Sequence, residues 1–206
     1  MILSMNSSKY VQLNKIVPWV LLVCGLIGLV ASLGLSMDRI SLAENPDAAL
    51  ACDINPLLSC GSVMGTAQSE VFGIPNSLLG VVGFSGLSVV GAVLLAGATL
   101  KRWFWLGLGL GAMSALGFVV WLFYQTVYDI GVLCPYCVAV WIATIPAFWY
   151  TMLYLFDMEF LKLPSRFDDV INWSKRHHVD VLIAVFLLMF GLILVQFWDI
   201  IQTIYL

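Results

Sequence analysis

Five long stretches of the chain contain no aspartate, glutamate, lysine or arginine. At a rise of about 1.5 Å per residue, each is long enough to cross a hydrocarbon core of about 30 Å. Because lipid offers the backbone no hydrogen-bond partners, such a segment forms a helix and not an open strand. The pattern predicts an all-α integral membrane protein. The five stretches are residues 16–37, 71–100, 103–128, 130–156 and 181–198.

The segments between these stretches predict the organisation of the chain. The third and fourth stretches are separated by little more than Asp129, so their helices should be antiparallel neighbours joined by a tight turn. Together the first four helices are expected to form a transmembrane bundle, to which a fifth transmembrane helix is attached. The expected units are a cytoplasmic N-terminus at 1–15, the bundle at 16–157 with an extracytoplasmic loop or lid at 38–75, a cytoplasmic connection at 158–179 and the fifth helix at 180–206.

Composition agrees with this prediction. The chain has 206 residues, of which 62% are hydrophobic and only 10% are charged. A single soluble core of this size would not need so apolar a composition. A lipid bilayer is therefore the expected surrounding, and no nucleic-acid partner is expected.

Basic residues predict the orientation of the helices in the membrane. Cytoplasmic segments carry an excess of lysine and arginine. With a cytoplasmic N-terminus, Arg39 is the one basic residue outside, and the protein is expected to be a multi-pass protein of the plasma (inner) membrane. The eight basic residues inside are then Lys9, Lys15, Lys101, Arg102, Lys162, Arg166, Lys175 and Arg176.

Four of the five cysteines form two pairs, which this topology places on the same, extracytoplasmic side. Cys52 and Cys60 lie in the outer loop. Cys134 and Cys137 bracket Pro135-Tyr136 where the fourth apolar run begins, so their thiols should lie in the first turn of a helix. Unpaired N–H groups and the helix dipole there favour thiolate over thiol. The pairs predict a relay of thiols in a compartment where disulfides persist.

Other interpretations of the cysteines remain open. Two pairs can also provide the four thiolates of a structural or transport-related zinc site, or form two static disulfides in a scaffold. We interpret Cys24, within the first helix, as an inert packing residue. His177 and His178 do not share a helix face and have no third ligand in view, so no metal site is predicted there.

Aromatic and small residues predict further features of the bundle. Residues 61–73 could cover a pocket as a lid or form an ordinary loop. Small residues at every fourth position are typical of close helix contacts, as in Gly107, Gly111 and Ala115 and in Ser88, Ala92 and Ala96. A flat aromatic pocket or a lipid-facing belt is predicted by Trp121, Phe123, Tyr124, Tyr128, Tyr136 and Trp141.

The combined motifs resemble the vitamin K epoxide reductase family over roughly residues 15–157. They are Cys-x7-Cys in an outer loop, Phe72-Gly73-Ile74-Pro75-Asn76-Ser77-Leu78-Leu79-Gly80 opening the second helix, and Cys-Pro-Tyr-Cys opening the fourth. The resemblance implies a four-helix bundle around a membrane quinone of the menaquinone, phylloquinone or ubiquinone type. It also implies a thioredoxin-like redox partner, here a separate extracytoplasmic protein because the chain ends at Leu206.

The resemblance also implies a role for each matching residue. Cys52 would be attacked by the partner, Cys60 would carry electrons inward to Cys134, and Cys137 would reduce the quinone. Asn76 matches an amide that hydrogen-bonds a quinone carbonyl, although it could equally cap the second helix. The roles are completed by Trp141, which stands where the vertebrate enzymes have a tyrosine and is expected in the quinone pocket with Tyr124 and Tyr128. The predicted activity is that of a quinone-linked, disulfide-generating oxidoreductase.

Overall fold

The five predicted spans are confirmed in a computed structural model of the chain. The structure describes residues 13–46, 48, 50, 52–55, 57–71, 73–161 and 164–205. Residues 1–12 of the predicted N-terminal segment, with Lys9, as well as Phe72 of the motif and Lys162, lie outside the described residues. The helices are α1 Leu13–Glu44, α2 Cys60–Met64, α3 Asn76–Leu95, α4 Arg102–Tyr124, α5 Pro135–Asp157, α6 Asp168–Arg176 and α7 His178–Tyr205.

Two helix boundaries differ from the prediction. Helix α1 continues to Glu44, two turns beyond the uncharged run, so the loop begins later than residue 38. Helix α4 does not end in a tight turn at Asp129 but continues as a π-helical segment, Gln125–Ile130. Gly131 ends this segment in the left-handed conformation, with φ of 70°, which glycine adopts without steric cost.

Helix α1 is the centre of the bundle and packs against α3 and α5, while α4 packs against α5. Its contact with α3 is close enough to require glycine. A Cβ at Gly91 would lie 2.4 Å from the backbone nitrogen of Leu22, and one at Gly25 would lie 2.6 Å from the backbone nitrogen of Ser88. Small residues thus allow the two helix backbones to approach each other, as is common between transmembrane helices.

Helix α7 is mostly exposed but is attached to the bundle near both ends. At its start, the Tyr150 hydroxyl lies 2.7 Å from Nδ1 of His178, and the Trp149 indole donates to the His178 carbonyl oxygen at 3.0 Å. Near its end, Phe197 is buried in the cluster that contains Trp141. The neighbouring His177 contacts Asp180 instead, so the two adjacent histidines have different partners.

Candidate active site

A short backbone bridge attaches the loop between α1 and α3 to the segment that precedes α5. The Leu133 N–H donates to the Leu57 carbonyl oxygen at 2.8 Å, and the Ser59 N–H donates to the Leu133 carbonyl oxygen at 3.0 Å. This is a parallel β-bridge between Leu58 and Leu133. Because Leu58 lies two residues before Cys60 and Leu133 lies directly before Cys134, the bridge brings Cys60 close to Cys134.

Polar side chains fix the shape of the loop around Cys60. The Asn55 side-chain oxygen accepts from the N–H groups of Leu57 and Leu58, both at 2.9 Å. The Ser59 hydroxyl caps α2 by accepting from Ser62 N–H at 3.1 Å. These short-range bonds satisfy backbone groups that regular structure does not, and they set the direction in which α2 begins.

Three of the four paired cysteines meet in one buried cluster. Cys52 and Cys60 form a disulfide with a Cα–Cα distance of 5.7 Å. The Cys60 sulfur lies 3.3 Å from the sulfur of Cys134, although 74 residues separate them in the chain. Cys60 and Cys134 are both completely buried. A thiolate on Cys134 is therefore within reach of the disulfide sulfur of Cys60, which is the geometry that thiol–disulfide exchange requires.

Cys134 is at the N-cap position of α5, and Cys137 lies in the first turn. The Cys137 thiol, as a hydrogen-bond donor, lowers the pKa of the Cys134 thiol below its ordinary value, and the backbone N–H groups of Cys137 and Tyr136 act in the same direction. Burial of the sulfur opposes this shift. The first cysteine of the pair thus has enhanced thiolate character, as expected at a helix N-terminus.

Cys137 connects this cluster to a large apolar cavity of about 810 Å³. The cavity lies between α3 and α4, with α5 at its back and the segment after Cys60 over one end. Its volume is within the range of about 300–1,000 Å³ that is usual for ligand pockets. Polar groups are concentrated near the covered end and include Thr66, Gln68, Ser69, Asn76, Gln125 and Thr126.

The segment over the cavity, residues 61–71, is held on two opposite sides. Arg39 of α1 forms an ion pair with Glu70 and donates to the Ser69 hydroxyl at 3.2 Å. On the opposite side, the Gln68 amide donates to Asp129 of the π-helical segment at 3.1 Å. These bonds connect the segment to both walls of the cavity, so it has the position of a lid.

Asn76 and Trp141 both line the cavity, but the Asn76 amide also has local partners. Its nitrogen donates to the Gln68 carbonyl oxygen at 2.7 Å, and its oxygen accepts from Val71 N–H at 3.3 Å. The side chain therefore joins the lid to the start of α3. The Trp141 ring lines the cavity and packs edge-to-face on Phe123, with ring centroids 5.1 Å apart. Each side chain retains at least one N–H donor for a carbonyl oxygen.

Tyr124 and Tyr128, which we also predicted at the pocket, do not line the cavity. Their exposed fractions are 59% and 44%, and their rings contact each other at 5.2 Å. The cavity is lined by Leu122 and Thr126 of this helix. Because successive residues rotate by about 100°, Tyr124 points about 200° away from Leu122, towards the outside of the bundle. The alternative interpretation of these tyrosines as an outer aromatic belt fits their exposure.

The stripe Gly107, Gly111 and Ala115 also has a different role from the one predicted. No neighbouring atom lies within 4 Å of a Cβ built on Gly107 or Gly111, and all three residues line the cavity. The glycine of α4 that permits close packing is Gly109, where a Cβ would lie 2.5 Å from Leu155. The small residues of the stripe thus leave space for the cavity instead of mediating a helix contact.

The sequence profile of the vitamin K epoxide reductase family matches residues 19–152, a region that extends from α1 into α5 and contains all four paired cysteines. The chain belongs to the vitamin K epoxide reductase family. No curated protein is significantly similar to it over its length. Membership establishes a membrane oxidoreductase that acts through cysteines, in a family that uses quinones and generally works with thioredoxin-like partners.

A four-thiolate zinc site does not fit the redox state of this vitamin K epoxide reductase homologue. Such a site needs both cysteine pairs as free thiolates. Within the described residues, the group that could hold a metal consists of Asp38, Cys52 and Cys60, and two of these are joined in a disulfide.

The apolar cavity next to Cys137, with its few polar groups at one end, fits a quinone ring with a long apolar tail.

The lowered pKa of Cys134 leads to a pH-dependent prediction. In the reduced protein with Cys24→Ser, Cys52→Ser and Cys60→Ser, only Cys134 and Cys137 remain as thiols, and no outer disulfide can exchange with Cys134. We expect Cys134 to react with a small uncharged thiol reagent with a midpoint below about pH 8.5, the usual value for cysteine. Cys137→Ala removes the main donor to the thiolate, so the midpoint should move to higher pH and the rate at neutral pH should fall.

The measurement is the rate of modification of the Cys134 peptide between acidic and alkaline pH, followed by mass spectrometry. Ala139→Ser, a substitution in the same helix two residues beyond Cys137, is the control and should leave the midpoint unchanged. An unchanged or lower midpoint in the Cys137→Ala protein would contradict the assigned cause.

Proposed function

We propose that the protein is a quinone-dependent thiol–disulfide oxidoreductase that oxidises a separate extracytoplasmic protein of the thioredoxin fold. The main observation in support is the position of Cys60, which is bonded to Cys52 and whose sulfur lies 3.3 Å from the sulfur of Cys134. Cys137, the second member of the inner pair, lines the apolar cavity. The four sulfurs thus form a continuous path from the loop to the cavity.

The order of transfer follows from this path. A partner thiolate attacks Cys52 and releases Cys60, and a second partner thiol then releases Cys52, so the outer pair is reduced. Cys60 next attacks Cys134 in the Cys134–Cys137 disulfide and releases Cys137, and Cys52 closes the outer disulfide again. The present structure, with an outer disulfide and an inner dithiol, corresponds to the state after this transfer.

The inner dithiol is then reoxidised at the cavity. A quinone of the menaquinone, phylloquinone or ubiquinone type takes up the two electrons and two protons when it is bound there. Cys137 provides the sulfur at the cavity, and Cys134, with its enhanced thiolate character, is placed to close the inner disulfide. Asn76 and Trp141 provide N–H donors that could hold carbonyl oxygens. The partner's disulfide is the second product, which supports disulfide formation in other proteins.

The proposed orientation places the cysteine end of the bundle, defined by Cys52, Cys60, Cys134 and Cys137, outside the plasma membrane. It is supported by the charge distribution. Lys101, Arg102, Lys175 and Arg176 lie at helix ends opposite the cysteine end, where they would face the cytoplasm. A compartment that maintains disulfides would then surround the loop that carries the outer pair.

The first test is quinone-dependent turnover by the solubilised full chain with a reduced protein of the thioredoxin fold. We expect partner thiols to disappear only when quinone is present. Cys137→Ala should abolish quinone reduction because it removes the sulfur at the cavity. Cys24→Ser also removes one thiol, but at a site on α1 away from the cysteine end of the bundle, and it should retain nearly full turnover. Equal losses in both variants would show that the thiols have been assigned wrongly.

A second test concerns the order of transfer. Without Cys137, no second thiol of the inner pair competes for Cys134, so a Cys60–Cys134 disulfide should accumulate. A partner whose second active-site cysteine is replaced by serine lacks the thiol that releases Cys52, so it should remain covalently bound to Cys52. Mass spectrometry of non-reduced peptides identifies these bonds. Trapping of the partner on Cys134 instead of Cys52 would reverse the proposed direction.

A third test concerns the orientation. Glu44 is exposed at the cysteine end, and Lys101 is exposed at the start of α4 on the opposite side of the bundle. In intact cells, a membrane-impermeant maleimide should label Glu44→Cys but not Lys101→Cys, whereas both should be labelled after the membrane is opened. The reverse pattern in intact cells would place the cysteine end in the cytoplasm.

A further inference from the structure

One carboxyl group lies directly against the reacting sulfurs. Asp38 is on α1, half-buried, with Oδ2 3.2 Å from the sulfur of Cys52. The Asp38 oxygen and the sulfurs of Cys52 and Cys60 all lie within 4.8 Å of one another. Among the described residues, Asp38 has no ion pair and no hydrogen-bond partner other than Cys52. Its position thus shows contact with the outer disulfide and no other polar function.

In the part of the chain that the structure describes, the groups around Asp38 include no cation that would neutralise it. The loop contributes Cys52 and the carboxylate of Asp53, and α2 contributes Cys60. The segment that opens α5 contributes Cys134. It also contributes Tyr136, whose ring packs against Gly34, one turn before Asp38 on α1. Arg39, the next residue on α1, is turned towards the lid, where it pairs with Glu70 and Ser69. Asp38 is therefore free to gain and lose a proton.

The redox state of the Cys52–Cys60 pair determines which group at this contact can carry a proton. A sulfur in a disulfide carries no hydrogen, so a proton shared across this contact can be carried only by the carboxyl group while the outer disulfide is closed. When the outer disulfide is reduced, Cys52 becomes a thiol that can return a proton to the same oxygen. The contact is therefore suited to exchange one proton as the disulfide opens and closes.

We propose that Asp38 is a catalytic residue that accepts the proton of Cys52 as Cys52 closes the outer disulfide. The inference rests on the proposed function for the order of transfer. In this step the Cys52 thiol, with its proton passing to the Asp38 carboxylate, attacks Cys60 in the Cys60–Cys134 disulfide. The Cys52–Cys60 bond forms, the Cys60–Cys134 bond breaks, and its electron pair remains on Cys134 as thiolate. In the next cycle, Asp38 returns the proton to Cys52 when the partner's second thiol displaces it.

A base at this position has a clear chemical advantage. An ordinary thiol with a pKa of about 8.5 is only a few per cent thiolate at pH 7, so assisted deprotonation can accelerate attack by up to about thirtyfold. Both histidines, the usual bases near neutral pH, lie next to α6 and α7 and not at the cysteine cluster.

The exchange step can be measured without quinone or partner. In the full chain with Cys24→Ser and Cys137→Ala, three cysteines remain, and a single disulfide can migrate between Cys52–Cys60 and Cys60–Cys134. A pH jump followed by acid quenching and peptide mapping gives the rate at which the two isomers interconvert. Failure of the wild-type chain to reduce quinone would count against the proposed function alone, because this assay contains none.

We expect Asp38→Asn to slow the interconversion about tenfold to thirtyfold at pH 7, with the difference disappearing above the thiol pKa of about 8.5. Asp38→Glu should restore much of the rate. Glu44→Gln removes an exposed carboxylate from the end of the same helix and should change nothing. Should the Asn variant fail to accumulate, Asp38→Ser provides the same test.

The opposite results would overturn the proposal. Removing a negative charge favours the Cys52 thiolate, so an effect of charge alone would make the exchange faster in Asp38→Asn. An unchanged or faster rate, a loss of equal size at every pH, or no exchange in the reference protein would each show that Asp38 does not accept the proton.

Discussion

The two hydrogen bonds between Leu133 and the outer loop determine whether the four cysteines form one site or two. Without them, the loop that carries Cys52 and Cys60 would be attached to the bundle mainly through its lid, and Cys60 would have no fixed position relative to α5. The bonds use only backbone atoms, so they fix the register of the loop whatever side chain is present at position 133. A small contact thus sets the distance between the sulfurs of Cys60 and Cys134.

Helix α1 provides the other half of this arrangement. Within two turns it accommodates the Tyr136 ring at Gly34, brings Asp38 to the disulfide and directs Arg39 to the lid. The uncharged run ends at Met37, so these two polar residues belong to an extension of the helix beyond it. The same rigid element therefore orients the loop, the lid and the start of α5.

The sequence was sufficient for the helices and the cysteines but not for the pocket. Runs without charge predicted five spans because burial in lipid acts on every residue of a helix, and the cysteine motifs indicated the family. The pocket depended on rotation about a helix axis, which an almost uniformly apolar helix does not reveal. Tyr124 and Tyr128 were therefore expected on the wrong side of α4.

Gly107 and Gly111 were interpreted as contacts because small residues look alike in sequence whether they touch a helix or leave space. The bridge at Leu133 involves backbone atoms 73 residues from Cys60 in the chain, and Asp38 had no motif to mark it. Only Gln125 and Thr126, as polar residues inside an apolar run, gave a signal that could have been followed.

The complete burial of Cys60 and Cys134 has a consequence for selectivity. Small thiols and oxidants dissolved in water cannot collide with these sulfurs while the outer disulfide is closed. Under the proposed function, electrons would enter through the loop and leave the inner pair on the side of the protein that faces lipid. The protein would thus have one entrance for electrons from water and one exit in the membrane. Thiols dissolved in water would then not reduce the inner cysteine pair without passing through the loop.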